Sequence, residues 1–253
     1  MFLQYWLTMR ERDEILTDLV FGRFKSYAGD HFDTVAHAEA FLGGLKRDAE
    51  TFRDLAQLDV ESAPGRFYQR VVEALELGAT IPVLLWMLSD NHDVPDDQVA
   101  VALDSLESWV VRRTLLRRPM NNVNRMMVQL LKDLAGHPVA EAGDVTRSYL
   151  AGQTSDTGAW PTDAEVREVL PGTRLYGNVK QQRLRMVFQS LEQAGRAAVH
   201  EDVTIKGKLE IEHVMPRGWR TYWATAATRD PKRAAERDLL VNTIGNLTIV
   251  TSP

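Results

Sequence analysis

The chain of 253 residues contains no cysteine, which removes disulfides, thiolate zinc sites and cysteine nucleophiles together. Any metal must then be held by oxygen and imidazole, a donor set that favours Mg²⁺ or Mn²⁺. No apolar run approaches the roughly 20 residues that a membrane span requires. The aromatic-rich start, Met1-Phe2-Leu3-Gln4-Tyr5-Trp6, lacks the basic region and small-residue cleavage site of a signal peptide. It reads as a helix cut into by the chain boundary. These absences fit a cytoplasmic protein without a membrane partner. Internal repeats and low-complexity tracts are also missing.

What is present is unevenly distributed. The net charge is −5, yet residues 160–253 hold 14 Lys and Arg against 11 Asp and Glu, while the rest is acidic. A mildly basic C-terminal third beside an acidic helical part fits a nucleic-acid site at that end.

Helical periodicity dominates the first 150 residues. One helix is expected from Thr8 to about Ala28, where Ile15, Leu16, Leu19, Val20 and Phe24 recur, and a second after Asp33 or Thr34 as cap. Pro64-Gly65 suggests a turn before a third helix, Phe67 to Leu77. Ile81 to Leu88 is apolar all round and is expected at the centre of a core. A helix from about Asp96 to Leu116 ends in Arg112-Arg113 and Arg117-Arg118. Cations there complement the helix dipole, which is the favoured reading; a phosphate-contacting patch is the other. Two more helices follow, Asn121 to Leu134 and Val139 to Leu150. Gly152 to Gly158 is polar and reads as a flexible linker.

Beyond the linker, Thr162-Asp163-Ala164-Glu165 is a capping-box pattern, and a longer helix is expected from about Asn178 to Ala198. Strand period then takes over from Val203 through Ile211. The fold class is therefore mainly α: an all-helical domain over 1–151, then a small α+β domain over 160–253.

Chemistry concentrates in two segments of that second domain. Leu209-Glu210-Ile211-Glu212-His213-Val214-Met215-Pro216-Arg217 alternates like a half-buried strand and delivers a carboxylate and an imidazole at its end. Asn242-Thr243-Ile244-Gly245-Asn246-Leu247-Thr248-Ile249-Val250 is a Gly-Asn turn entering a β-branched strand. Between them lie Arg217, Trp219, Arg220, Tyr222 and Trp223, then a helix opened by Asp230-Pro231. Adjacent strand residues point to opposite faces, so Glu212 can bind a cation while His213 faces substrate. One metal can serve a leaving oxygen and one neutral imidazole can deprotonate the attacking water, which is the chemistry of a one-metal nuclease. Pro216 opens the strand into a loop, and Asn246 can hydrogen-bond across its neck and hold the His. His31, His37, His92, His137 and His200 have no partner at ligand spacing and read as structural or exposed.

Ile211-Glu212-His213-Val214-Met215-Pro216 with Thr243-Ile244-Gly245-Asn246-Leu247-Thr248-Ile249-Val250 resembles the C-terminal nuclease domain of GmrSD-type and SspE-like modification-dependent restriction enzymes. Trp160-Pro161-Thr162-Asp163, Leu175-Tyr176 and Leu191-Glu192 match its helical lead-in. Glu107 to Arg113 is similar to the region after the N-terminal domain of such enzymes. The resemblance implies an HNH (ββα-metal) core with His213 as general base, Glu212 as metal ligand and Asn246 tying the loop and positioning the His. It implies a Mg²⁺ or Mn²⁺ cofactor, double-stranded phage DNA as substrate, and a ParB-like nucleotide-hydrolysing domain as N-terminal partner. A nicking role in anti-phage defence linked to DNA modification, phosphorothioation being one such system, follows from the same likeness. The family's last metal-ligating helix would fall past Pro253, so the chain is read as a C-terminal fragment with that helix absent. Phosphate contacts are expected from Arg217, Arg220 and Lys206, with Arg183 and Arg185 beside them. The competing reading is a non-catalytic helical interaction or DNA-binding module with a degenerate HNH tail.

Overall fold

The computed structural model describes residues 1–199 and 207–251 of the chain. It is mainly helical, with one two-stranded antiparallel sheet close to the C-terminal end of the described residues. The chain divides into two compact units, one comprising residues 1–110 and 119–160, the other residues 111–118 and 161–253.

The first unit holds helices α1 (Phe2–Glu11), α2 (Val20–Gly29), α3 (Val35–Asp54), α4 (Ala63–Phe67), α5 (Ile81–Leu88) and most of α6 (Asp96–Leu115), then α7 (Val123–Ala135) and α8 (Ala142–Ala151). Its centre is α5, buried from Ile81 through Met87, as expected for a helix apolar on every face. Leu7, Val71, Leu106, Trp109 and Leu130 complete the surrounding core.

Three expectations need correction here. The periodic run from Thr8 to Ala28 is two helices: Arg12 turns left-handed at φ 53°, and a 3₁₀ turn at Thr17–Leu19 precedes α2. The break turns Ile15 into the core, where it is buried, although it shares a period with the exposed Leu16 and Leu19. Pro64-Gly65 is no turn but the first turn of α4, capped by Ser62, whose hydroxyl accepts from the Gly65 N–H at 3.1 Å. Proline fits there because that N–H has no helical partner anyway. The helix after it runs through a π-helical stretch, Tyr68–Ala74, closed by a Leu75 N–H to Arg70 carbonyl bond of 3.0 Å. The segment 152–158 is pinned rather than free: the buried indole of Trp109 donates to the Gly158 carbonyl at 2.7 Å.

The second unit contains α9 (Asp163–Val169), α10 (Gln181–Val199), β1 (Leu209–His213), α11 (Trp219–Tyr222), α12 (Pro231–Leu240) and β2 (Leu247–Thr251). Thr162 caps α9 by accepting from the Glu165 N–H at 3.2 Å, and Asp230 caps α12 through the Lys232 N–H at 3.0 Å. The strands pair from Leu209 with Thr251 to His213 with Leu247. Leu209, Ile211 and Leu247 are buried, with Leu184 and Val187 of α10 also in the apolar set. Of the longer strand expected from Val203, residues 203–206 lie outside the described residues.

The arginines at the end of α6 belong to this unit. Arg112 reaches Asp163 at 2.6 Å and donates to the Pro161 carbonyl at 2.9 Å, and Arg118 pairs with Glu165. Arg113 is buried. Arg112 and Arg118 therefore hold the start of α9, a role that neither sequence reading of them contained.

Candidate active site

The alternation of β1 sets the site. Burial follows the pleat, with Leu209 and Ile211 inward and Glu212 outward, so His213 falls on the inward side at the strand's last position. There the ladder closes: the Val214 N–H donates to the Asn246 carbonyl at 3.0 Å. The chain then leaves the sheet at Met215-Pro216.

Asn246, which ends a short 3₁₀ turn before β2, clamps that exit. Its side-chain oxygen accepts from the Met215 N–H at 2.8 Å. Its amide donates to the Met215 carbonyl at 3.0 Å and to the Val241 carbonyl at 2.9 Å. Asn246 thus closes the neck of the loop, bridging the two ends of the excursion between the strands. Its side chain makes no hydrogen bond to the imidazole.

The residues around His213 are different ones. Asn242 places its Oδ1 3.2 Å from His213 Nε2. Tyr176 sets its ring edge-on to the imidazole, with centroids 4.4 Å apart. The Arg217 guanidinium lies over the far partner of that pair, 5.9 Å from the Tyr176 centroid. Asn242 and Tyr176 were not singled out from sequence as site residues. Asn242 did stand in the second strand segment and Tyr176 in the lead-in, four residues before Lys180, so the signal was proximity to motifs and nothing stronger.

The segment between the strands is anchored by Trp219, 1% exposed, whose indole donates to Asp238 Oδ1 at 3.1 Å. Arg220 and Arg237 stand over its ring at 4.6 and 5.1 Å from the centroid. Arg220 also grips Asp238 with both terminal nitrogens, one at 2.7 Å. That guanidinium and the indole hold the Asp238 carboxyl below the usual carboxylate range. Arg220 is thus committed to a structural pair.

The other expected cations are dispersed. Arg217 is exposed beside Tyr176, whereas Arg183 and Arg185 are half-buried on α10 and Arg183 has partners of its own. Lys206 lies outside the described residues. Arg229, Lys232 and Arg233, exposed around the start of α12, carry no ion pair among the described residues. Cations at a helix start oppose its dipole, so their placement is unfavourable without an anion. Tyr222 at the end of α11 is 84% exposed.

For a metal, the carboxylate beside His213 is Glu212. Its side chain is exposed and carries no hydrogen bond or ion pair among the described residues. No group of three or more His, Asp or Glu that could hold an ion occurs among the described residues. A lone carboxylate is still compatible with Mg²⁺ or Mn²⁺ chemistry, since Mg²⁺ commonly takes one or two carboxylates and fills its shell with water and substrate phosphate. No helix of the described residues is long and apolar enough to cross a membrane.

No curated protein and no solved structure matches the chain. Residues 160–253, however, match the family model of the GmrSD restriction endonucleases, C-terminal domain. The part of the chain that carries the Glu212-His213 strand end and the Asn246 clamp is thereby similar to the C-terminal domain of the GmrSD restriction endonucleases, a restriction-endonuclease-type domain.

Proposed function

We propose that residues 160–253 form an HNH-type endonuclease domain that nicks double-stranded DNA, with His213 as the general base. The observation that carries this reading is the strand end itself. β1 finishes in a carboxylate and an imidazole on opposite faces, and the Asn246 side chain clamps the loop beyond them by accepting one hydrogen bond and donating two.

In the proposed reaction a water attacks phosphorus while neutral His213 takes its proton, and the bond from phosphorus to the leaving oxygen breaks. Glu212 would hold a Mg²⁺ or Mn²⁺ ion, which when bound supplies positive charge against the charge growing on the leaving oxygen. Asn246 keeps the backbone after His213 in one conformation. Arg217 would contact a backbone phosphate close to the imidazole, and Arg229, Lys232 and Arg233 would extend that contact along the duplex. Arg183, Arg185 and Lys206 remain candidates for further phosphates. Arg220 serves the loop's structure through Asp238. The reading includes phage DNA as the target and a ParB-like nucleotide-hydrolysing domain as N-terminal partner, both supported by the family resemblance.

The test is plasmid relaxation with added Mg²⁺ or Mn²⁺. Wild type is expected to convert supercoiled to open-circular DNA, and His213→Ala to lower the rate by about 100-fold or more, with an unchanged circular dichroism spectrum. Undiminished nicking by His213→Ala would overturn the assignment. Gel-shift binding without cleavage by the wild type would instead favour the non-catalytic module.

A further inference from the structure

We infer that Asn242 is the positioning residue for His213, fixing the imidazole as the Nε2–H tautomer and leaving Nδ1 as the nitrogen presented to the attacking water. This deepens the nuclease reading of His213 and rests on it for its catalytic consequence. The geometric part stands without it.

An amide oxygen only accepts, so the 3.2 Å contact from Asn242 Oδ1 to His213 Nε2 requires the hydrogen on Nε2. In a neutral imidazole the other nitrogen then carries the lone pair. The contact is well supported because Asn242 is held at every neighbouring point. Its own carbonyl accepts from the Leu175 N–H at 2.9 Å and the Tyr176 N–H at 3.1 Å. The carbonyl of the preceding Val241 accepts from Asn246, and the following Thr243 is buried with its hydroxyl on the Leu240 carbonyl at 2.9 Å.

One residue therefore joins both groups that touch the imidazole. The Asn242 side chain meets Nε2, and its backbone carbonyl holds the Leu175-Tyr176 segment from which Tyr176 sets its ring against His213. The two asparagines divide the work. Asn246 bonds only to backbone atoms and shapes the loop, whereas Asn242 bonds to the ring and sets which nitrogen is the base.

The test reads the ring directly. Protein labelled with ¹⁵N-histidine is examined by imidazole ¹⁵N NMR at alkaline pH, where the rings are neutral, with His213→Gln identifying the resonance. Wild type is expected to show His213 protonated at Nε2 and unprotonated at Nδ1. Asn242→Ala keeps the backbone carbonyl, and so the fold, but is expected to show averaged tautomers and about 100-fold slower nicking at unchanged KM. Asn242→Asp retains the acceptor and is expected to restore the Nε2–H signature. An unprotonated Nε2 in the wild type, or an unchanged tautomer in Asn242→Ala, would overturn the inference. Because the NMR signature needs no turnover, a protein that orients His213 in this way yet cleaves no DNA would refute the nuclease reading and leave the positioning intact.

Discussion

Asn246 illustrates how much a single amide can hold when every bond goes to backbone. Removing its side chain leaves the Met215 N–H and two carbonyls without partners at the half-buried neck of the loop. At about 1 kcal/mol per bond, Asn246→Ala is expected to cost roughly 2–3 kcal/mol, measured as a lower denaturant midpoint for the second unit. Its bonding across the neck of the loop was legible in sequence, because an Asn after Gly where a strand begins can reach backbone groups on the other side of a turn. Asn242, four residues earlier, gave only its place beside that motif, since its contact with His213 joins residues 29 apart in the chain. Asp238 makes a different kind of residue-scale statement. Its carboxyl is held low by Arg220, so the folded state binds that proton more weakly than the unfolded state does. The stabilisation is therefore present above the ordinary carboxylate pKa and lost as pH falls through the folded value. Asp238→Asn is expected to lower the melting temperature slightly at neutral pH, with the gap from wild type closing as the solution is acidified below pH ~4.

At the scale of elements, local signals decided what local chemistry controls. Thr34, Thr162 and Asp230 cap α3, α9 and α12 as their side chains alone would dictate. The failures came where a neighbour intervened. Helical period across residues 8–28 could not reveal the left-handed Arg12, because that break is rewarded by burial of Ile15 against the rest of the unit. Pro64-Gly65 looked like a turn because the pair is common in turns, yet the glycine is there for close approach. A Cβ at Gly65 would lie 2.0 Å from the Asp59 carbonyl oxygen, a backbone atom that cannot swing aside. Gly65→Ala is accordingly expected to destabilise the first unit by about 1–3 kcal/mol despite alanine's better helix propensity, as read by thermal melting.

Across the whole molecule, the first unit is organised around a buried charge as well as apolar packing. Asp48, 2% exposed, accepts from Arg10 at 2.6 Å, the Trp6 indole at 2.9 Å and the Ser89 hydroxyl at 2.8 Å. Such a carboxylate is tolerated because both its oxygens are occupied, one by Arg10 and Trp6 of α1 and the other by Ser89 just after α5. The second unit includes residues 111–118, so its boundary does not coincide with the polar stretch at 152–158. Asp163 and Glu165 draw their cations from Arg112 and Arg118, and Arg112 holds the Asp163 carboxyl below its usual range. A fragment beginning at Trp160 would lose both partners. It is expected to melt several degrees below the corresponding transition of the full chain, a difference that calorimetry of the two proteins would measure.

By itself the sequence determined what short-range physics controls: helices from apolar period, caps from hydroxyl and carboxylate side chains, and the two strand segments that carry Glu212, His213 and Asn246. The restriction-endonuclease character of residues 160–253 was readable for the same reason, since it resides in two contiguous motifs. Tertiary structure alone decided which side chains meet. Pairing β1 with β2 brings Asn242 to the imidazole, and the fold of the loop on Trp219 commits Arg220 to Asp238. Grouping the end of α6 with α9 turns Arg112 and Arg118 into structural partners. Each of these depends on contacts between residues far apart in the chain, set by burial and register, which no local pattern encodes.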